Sequence, residues 1–291
     1  MSSGSEPSRG VDAPTRAVVC LLAGSALLTG HDALMKWLLG SYPLGQVWFL
    51  RGMVALVLTL AIAMARRQLR LALHVSSWRD QGLRAACSAA SGFLFTAGLA
   101  HLPLADCIAI GFASPLFITG LAAPLIAETV GWRRWLAVLL GFAGVMLIVR
   151  PTGQAIHWAA LLPLSAALFG ALRDLLTRRM GRTETSQSIL IYSTLGGVLV
   201  GLATAPLGWR PLAPDDIGLI LLAGVVVCGG HFLLIEGFRR ADAAFLAPLK
   251  YSTLVWGTLF GYALWGDVPA PEILMGALVV IAAGIYVVRQ K

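Results

Sequence analysis

Runs of about twenty apolar residues recur along this chain with little interruption, separated by short gaps rich in Gly, Pro and Arg. An α-helix rises 1.5 Å per residue, so about 20 apolar residues cross the hydrocarbon core of a bilayer. Ten spans are predicted on that measure, near 17–39, 43–65, 80–101, 103–127, 132–149, 157–178, 186–206, 215–238, 242–265 and 271–288. Gly40–Pro43, Pro103, Gly131, Pro151–Gly153, Pro211–Pro214 and Gly266–Pro271 punctuate them. Spans so closely joined leave no room for a separate soluble domain.

Composition agrees with the pattern. Hydrophobic residues make up 58% of the chain and charged residues 12%, with a mean hydropathy of +0.80; soluble domains carry about 25% charged residues. The expected fold class is an all-α integral membrane protein of ten transmembrane helices. Charge then sets the orientation, because Lys and Arg concentrate in cytoplasmic loops. One side collects 15 of them: Arg9, Arg16, Arg66, Arg67, Arg70, Arg79, Arg133, Arg134, Arg178, Arg179, Arg182, Arg239, Arg240, Arg289 and Lys291. The other side has 2, Arg150 and Arg210. Both termini are therefore expected in the cytoplasm, and the formal net charge of +8 reflects topology and lipid headgroups rather than nucleic acid. The polar segment 1–16 lacks the apolar core and cleavage site of a signal peptide. Cys20, Cys87, Cys107 and Cys228 fall inside apolar spans without CxxC spacing and read as small hydrophobes; no disulfide, metal site or cofactor is expected.

Two segments are near copies: Phe112-Ala-Ser-Pro-Leu116 and Phe245-Leu-Ala-Pro-Leu249, each a few residues after an Ala-Asp pair, Ala105-Asp106 and Ala241-Asp242. Ser25–Gly30 matches Ser165–Gly170, and Gly92-Phe93 matches Gly230-His231, in the same order. The chain thus divides into a polar tail 1–16 and repeats 17–150 and 151–291. Five spans per repeat is an odd number, so the second half enters the membrane from the opposite side. The duplication is inverted, an arrangement in which two halves rock about a midplane site.

With these segments the chain resembles the drug/metabolite transporter superfamily, specifically its ten-span group with two EamA-type repeats. The residues that carry the likeness are the paired Ser/Ala-Pro-Leu segments, Glu128-Thr-Val-Gly-Trp-Arg133 and the closing helix Leu136–Pro151. Asp267-Val-Pro269, Gly276 and Gly284 complete the set. The resemblance covers roughly residues 15–290. It implies a secondary transporter of the bacterial inner membrane, similar to the YddG-like amino-acid exporters.

Charges inside spans are costly and should face protein or water. Asp32 and Lys36, spaced i, i+4, can share a helix face, either as an internal ion pair or as a charged cavity wall; His31 is adjacent. Arg51 sits at a depth similar to Asp32, about 10 Å in. It reads either as a tie between spans, with Asp32 as its partner, or as a fork for a substrate carboxylate. Lys250 follows Pro248 by two residues and is flanked by Tyr251, Ser252, Thr253 and Trp256. Pro248 and its counterpart Pro115 remove helical hydrogen bonds and are expected to kink their helices. Lys250 ranks first as a reader of carboxylate or phosphate, with a packing lysine as the alternative. His231, near mid-span, is a candidate for proton coupling together with Asp32 and Lys36, or a hydrogen-bonded packing residue. Trp48, Trp256 and Phe95 lie away from span ends and suit an apolar pocket or the core. Asp174 is expected to pair with Arg178 at i, i+4, and Glu236 with Arg239 and Arg240.

No Walker loop, HExxH, GxSxG or acidic metal cluster is present in the sequence, so an enzyme is not expected and transport must run on a gradient or exchange. The expected substrate, on the resemblance, is an amino acid, aromatic or otherwise apolar, exported from the cytoplasm. Another metabolite (a nucleoside, a vitamin or S-adenosylmethionine) and a channel-like facilitator are the alternatives. Membrane lipids and a small molecule are the expected partners, with oligomeric state left open and a monomer among the options.

Overall fold

The computed structural model describes residues 12–99, 101, 110–149 and 158–265. The tenth span, the 1–11 segment, Asp106, Cys107, Arg150, Asp267, Gly276, Gly284 and Arg289 lie outside them, as do the side chains of Lys36 and Pro248. The described residues form α1 (Asp12–Leu39), α2 (Leu44–Ala65), α3 (Leu69–Leu73), α4 (Trp78–Leu99), α5 (Ser114–Ile126), α6 (Trp132–Val149), α7 (Leu161–Met180), α8 (Ser186–Ala203), α9 (Pro214–Arg240), α10 (Ala243–Leu246) and α11 (Ser252–Trp265). Short 3₁₀ turns at Trp158–Ala160, Ala205–Leu207 and Ala247–Tyr251 join some of them. No strand occurs among the described residues.

Five of these segments are long and apolar enough to cross a membrane: Pro14–Leu39, Leu44–Ala65, Trp158–Met180, Ser186–Leu207 and Pro214–Arg240. Two expected spans are broken. Residues 110–111 are helical, Phe112 and Ala113 turn, and α5 restarts at Ser114 with Pro115 in its first turn. There the missing N–H costs nothing, so Pro115 begins a helix rather than kinking one; the proline inside α5 is Pro124. Across the duplicated segment the ninth span is likewise α10, then the 3₁₀ turn Ala247–Tyr251, then α11.

Helices from the two repeats pack mainly on each other. α1 lies along α9, α4 along α7, α2 along α8 and α9, α4 also on α8, α5 on α7 and α1 on α11. In lipid there is little hydrophobic force between helices, so close backbone approach has to supply the packing. Glycine permits it. A Cβ on Gly24 would meet the Gly230 carbonyl oxygen at 3.0 Å, and one on Gly201 would meet the Gly45 oxygen and the Phe49 nitrogen at 2.8 Å. Outside these seams Val19, Leu27, Val57, Leu199, Leu221 and Val225 are exposed, as a lipid-facing surface requires, and Trp37, Trp78, Trp132 and Trp158 are exposed near helix ends.

Candidate functional site

The two broken helices meet. Lys250, in the 3₁₀ turn of the second copy, reaches Ser114, the first residue of α5 in the first copy: its Nζ donates to Ser114 Oγ at 3.2 Å. Beside this contact the Phe112 and Tyr251 rings lie 5.7 Å apart. Lys250 also pairs with Asp174 of α7, Nζ to Oδ2, at 2.6 Å. Asp174, whose side chain is only 4% exposed, gives its other oxygen to Arg173 at 2.9 Å. The expected Asp174–Arg178 pair is therefore not formed. Asp174 lies on the buried face of α7, where Lys250 competes for it, and Arg178 points to the rim.

Arg84 of α4 completes the cluster. It is 3% exposed, and its Nε donates to Thr177 Oγ1 at 2.7 Å while NH1 donates to Ser193 Oγ. Both hydroxyls pass their protons down to backbone carbonyls, Arg173 and Ile189. Arg84, Arg173, Asp174, Thr177 and His231 then line a cavity of about 10 Å3 with Leu234, Ile235 and Phe238, space for about one water molecule. Sequence reasoning missed Arg84, because it falls near the start of its span, where an interfacial arginine is ordinary. The residues Lys250 and His231 were expected at such a site.

A second polar chain links α1 and α2. Arg51 NH1 donates to His31 Nε2 at 3.0 Å. Since arginine only donates, Nε2 must accept, which leaves the proton on Nδ1 to face Asp32 Oδ1 at 3.3 Å. His31 is thus the direct partner of Arg51, and Asp32, expected in that role, is the next link. Asp32 itself is 69% exposed although, at about 100° per residue, it lies about 180° around α1 from Ala23, within the exposed stripe Val19–Ala23–Leu27. It therefore opens onto space away from that outer surface. Trp48 packs beneath Arg51, whose guanidinium sits 4.5 Å from the ring centroid, and against Phe93 at 4.7 Å. A Cβ on Gly92 would fall 2.1 Å from this ring, so Trp48 occupies space that only glycine leaves on α4.

The remaining candidates are placed apart from the cavity. Tyr251 is fully buried and donates to the Val138 carbonyl at 3.2 Å, so it packs rather than lines space. Phe95 lies against Gly111, whose Cβ would be 3.6 Å from its ring. Trp256 Nε1 and Ser252 Oγ, one turn apart on α11, are buried with no hydrogen-bond partner. Among the described residues, no three His, Cys, Asp or Glu side chains converge to hold a metal ion.

Both ends of the molecule are latched across the repeats. At one rim α5 ends with Ala127 in the left-handed region, φ 54°, and Glu128 turns back to accept from Arg178 Nε at 2.8 Å and from the Ala243 amide at 3.0 Å. Arg178 NH2 also holds Asp242 at 2.8 Å, with Arg134 at 3.4 Å. Nearby, Glu236 pairs with Arg239 and Arg240, as their spacing predicts. At the opposite end Tyr42 donates to Asp216 at 2.7 Å and accepts from the Ala213 amide at 3.0 Å. The amide pulls the Tyr42 phenol down, but the Asp216 hydrogen bond and burial outweigh it and hold the phenol above its ordinary pKa. Gln46 closes two hydrogen bonds with the Arg210 backbone, at 2.7 and 2.8 Å.

Comparison with known proteins joins this geometry to a family. The EamA-like transporter family model matches residues 15–150 and 157–289, so both halves carry the same domain. A riboflavin transporter of Rhizobium johnstonii is 32% identical over 199 residues, 68% of this chain and 66% of its own length. An S-adenosylmethionine uptake transporter of Rickettsia bellii is 27% identical over 68% of each chain. The pseudopaline exporter CntI of Pseudomonas aeruginosa is 25% identical over 94% of this chain and 96% of its own. A solved crystal structure superposes with a TM-score of 0.80 over 96% of this chain and 97% of that one, at 16% identity, which establishes the likeness of fold. The chain belongs to the EamA-like transporter family, within the drug/metabolite transporter superfamily.

Proposed function

We propose that this protein is a secondary transporter of the bacterial inner membrane, a multi-pass carrier with both termini in the cytoplasm. It moves small metabolites by alternating access between two inverted five-span repeats. The observation that carries this reading is the buried Lys250–Asp174–Arg173–Arg84 cluster, built from both repeats at the point where two broken helices touch. Helices broken at membrane depth are either buried in protein or line cavities, since their freed backbone groups must be satisfied, and in transporters such breaks mark the binding site. The packing fits a two-fold relation between the repeats: exchanging them turns α1–α9 into α4–α7, α5–α7 into α1–α11 and α2–α9 into α4–α8, while α2–α8 maps onto itself. Each of these contacts is present. The inversion rests on the odd number of spans in each repeat.

An amino acid exported from the cytoplasm is the substrate this reading favours. Its carboxylate complements a site in which the cations Arg84, Arg173 and Lys250 outnumber the one carboxylate, Asp174. A vitamin or S-adenosylmethionine is the second reading, favoured by the transported molecules named for the relatives. Direction follows the gradients of substrate and coupling ion; the relatives include uptake and export proteins. The test is counterflow into proteoliposomes of labelled amino acids, nucleosides and flavins. Saturable flux accelerated by unlabelled substrate on the far side supports a carrier. Flux that rises linearly with concentration would identify a channel-like facilitator instead.

A further inference from the structure

Resting on the transporter reading, we infer that Arg84 is the anchor for a carboxylate group of the transported metabolite. Among the described residues, Arg84 and Arg173 line the cavity with one carboxylate, Asp174, and a third cation, Lys250, is paired with that carboxylate. That carboxylate is fully taken: one oxygen holds Lys250 at 2.6 Å and the other Arg173 at 2.9 Å. Arg84 is left with two neutral hydroxyls, although it is buried and borders the cavity. A guanidinium has five N–H donors in a planar fork, and the two hydroxyls use two of them. Charges at such depth are normally paired. The cluster therefore carries an excess of positive charge facing the cavity, which an anionic group satisfies.

The shape of the space selects which anion. A cavity of about 10 Å3 has to widen for any ligand, and a flat two-oxygen carboxylate needs less widening than a tetrahedral phosphate. The hydroxyls of Thr177 and Ser193 fix the Nε and NH1 positions, so the guanidinium presents its outer edge in a set orientation. A carboxylate bound there also lies within the field of Lys250 and competes with Asp174 for it. Loading the site then loosens the Lys250–Asp174 tie that joins α7 to the broken ninth span. Substrate charge is in this way coupled to Lys250, which also donates to Ser114 of the first repeat.

The experiment pairs a binding assay with a flux assay, so that the two readings can fail separately. Purified protein in detergent is tested for ligand-induced rise in melting temperature, and reconstituted protein for counterflow. The probes are L-phenylalanine, S-adenosylmethionine and succinate, which carry carboxylates, against phenylalaninamide, riboflavin and inorganic phosphate. The expected result is stabilisation and counterflow with at least one carboxylate and with none of the other three. Arg84→Gln should raise the half-saturating concentration at least tenfold, Arg84→Lys should recover part of it, and Arg179→Gln, at the rim beside Asp80, should change nothing. If Arg84→Gln does not fold, discrimination by wild-type protein between phenylalanine and its amide decides the matter. Carboxylate binding without flux keeps the anchor and removes the transporter reading. Flux of riboflavin or the amide unaffected by Arg84→Gln keeps the transporter and overturns the anchor, as does a response to phosphate alone. Silence in both assays overturns both.

Discussion

Replacing Arg178 with alanine removes a cation that both Glu128 and Asp242 hold at 2.8 Å. These pairs join the end of α5 in the first repeat to α7 and the start of α10 in the second. The side chains are 15% to 41% exposed, so water competes for them and each contact is worth about 1 kcal/mol, below a fully buried charged hydrogen bond. Losing both removes about 2 kcal/mol from the state in which this rim is closed. At 1.4 kcal/mol per tenfold, the population open at this rim rises about 30-fold. The assay uses a variant without native cysteines that carries Thr177→Cys, a buried position on the cavity wall just inside the latch. Its labelling by a membrane-impermeant maleimide is timed from each side of sealed vesicles. Labelling from the Arg178 side should accelerate about 30-fold in Arg178→Ala, with Arg178→Lys between the two, and no gain from the opposite side. Rates within threefold of each other would refute the claim that these pairs hold the rim shut. Equal acceleration from both sides would mean general loosening and would refute it as well.

Other outcomes follow from the same geometry. Lys250→Met strips Asp174 of one of two partners and should destabilise the protein by about 2 kcal/mol, less than the 3–5 kcal/mol of a completely broken buried pair because Arg173 remains. The double variant Lys250→Met/Asp174→Asn should regain much of that in detergent thermal unfolding. Gly201→Ala drives a methyl to 2.8 Å from the α2 backbone and should cost about 1–3 kcal/mol, whereas Gly218→Ala, inside α9 with nothing within 4 Å, should raise the melting temperature slightly, by about 0.5 kcal/mol of stability. Ala127→Gly relieves a left-handed residue at the end of α5 and should raise stability by about 1 kcal/mol, read by the same unfolding curves.

Much of the scaffold was legible because each apolar run answers to one physical length. The second span, expected at 43–65, is Leu44–Ala65, and the seventh, expected at 186–206, is α8 followed by its 3₁₀ turn. The breaks at Phe112-Ala113 and Ala247–Tyr251 were not placed: the first is as apolar as a continuous helix, and at the second Pro248 signalled a kink while Lys250 read as a site residue rather than as a break. Partners were harder than positions. Depth pointed from Arg51 to Asp32, but the side chain between them, His31, faces α2 and takes the hydrogen bond. Spacing pointed from Asp174 to Arg178, yet a lysine 76 residues away outcompetes it. Local rules see one helix at a time, and a buried charge takes its partner from whichever helix faces it. Arg84 shows the same blindness: only the arrival of Thr177, Ser193 and Asp174 from other helices distinguishes it from an ordinary arginine near a helix end.

The meeting of Ser114 and Lys250 has a geometric consequence. Two identical copies of the motif facing one another would form a site indifferent to which way round a ligand lies, since a half-turn of the ligand would present it with the same groups. Here one copy offers a hydroxyl and the other an ammonium, tied to a carboxylate that comes from the second repeat alone. A polar ligand then has one favoured heading instead of two equivalent ones. Lys250, which has no lysine opposite it in the first copy, would give such a ligand a front and a back.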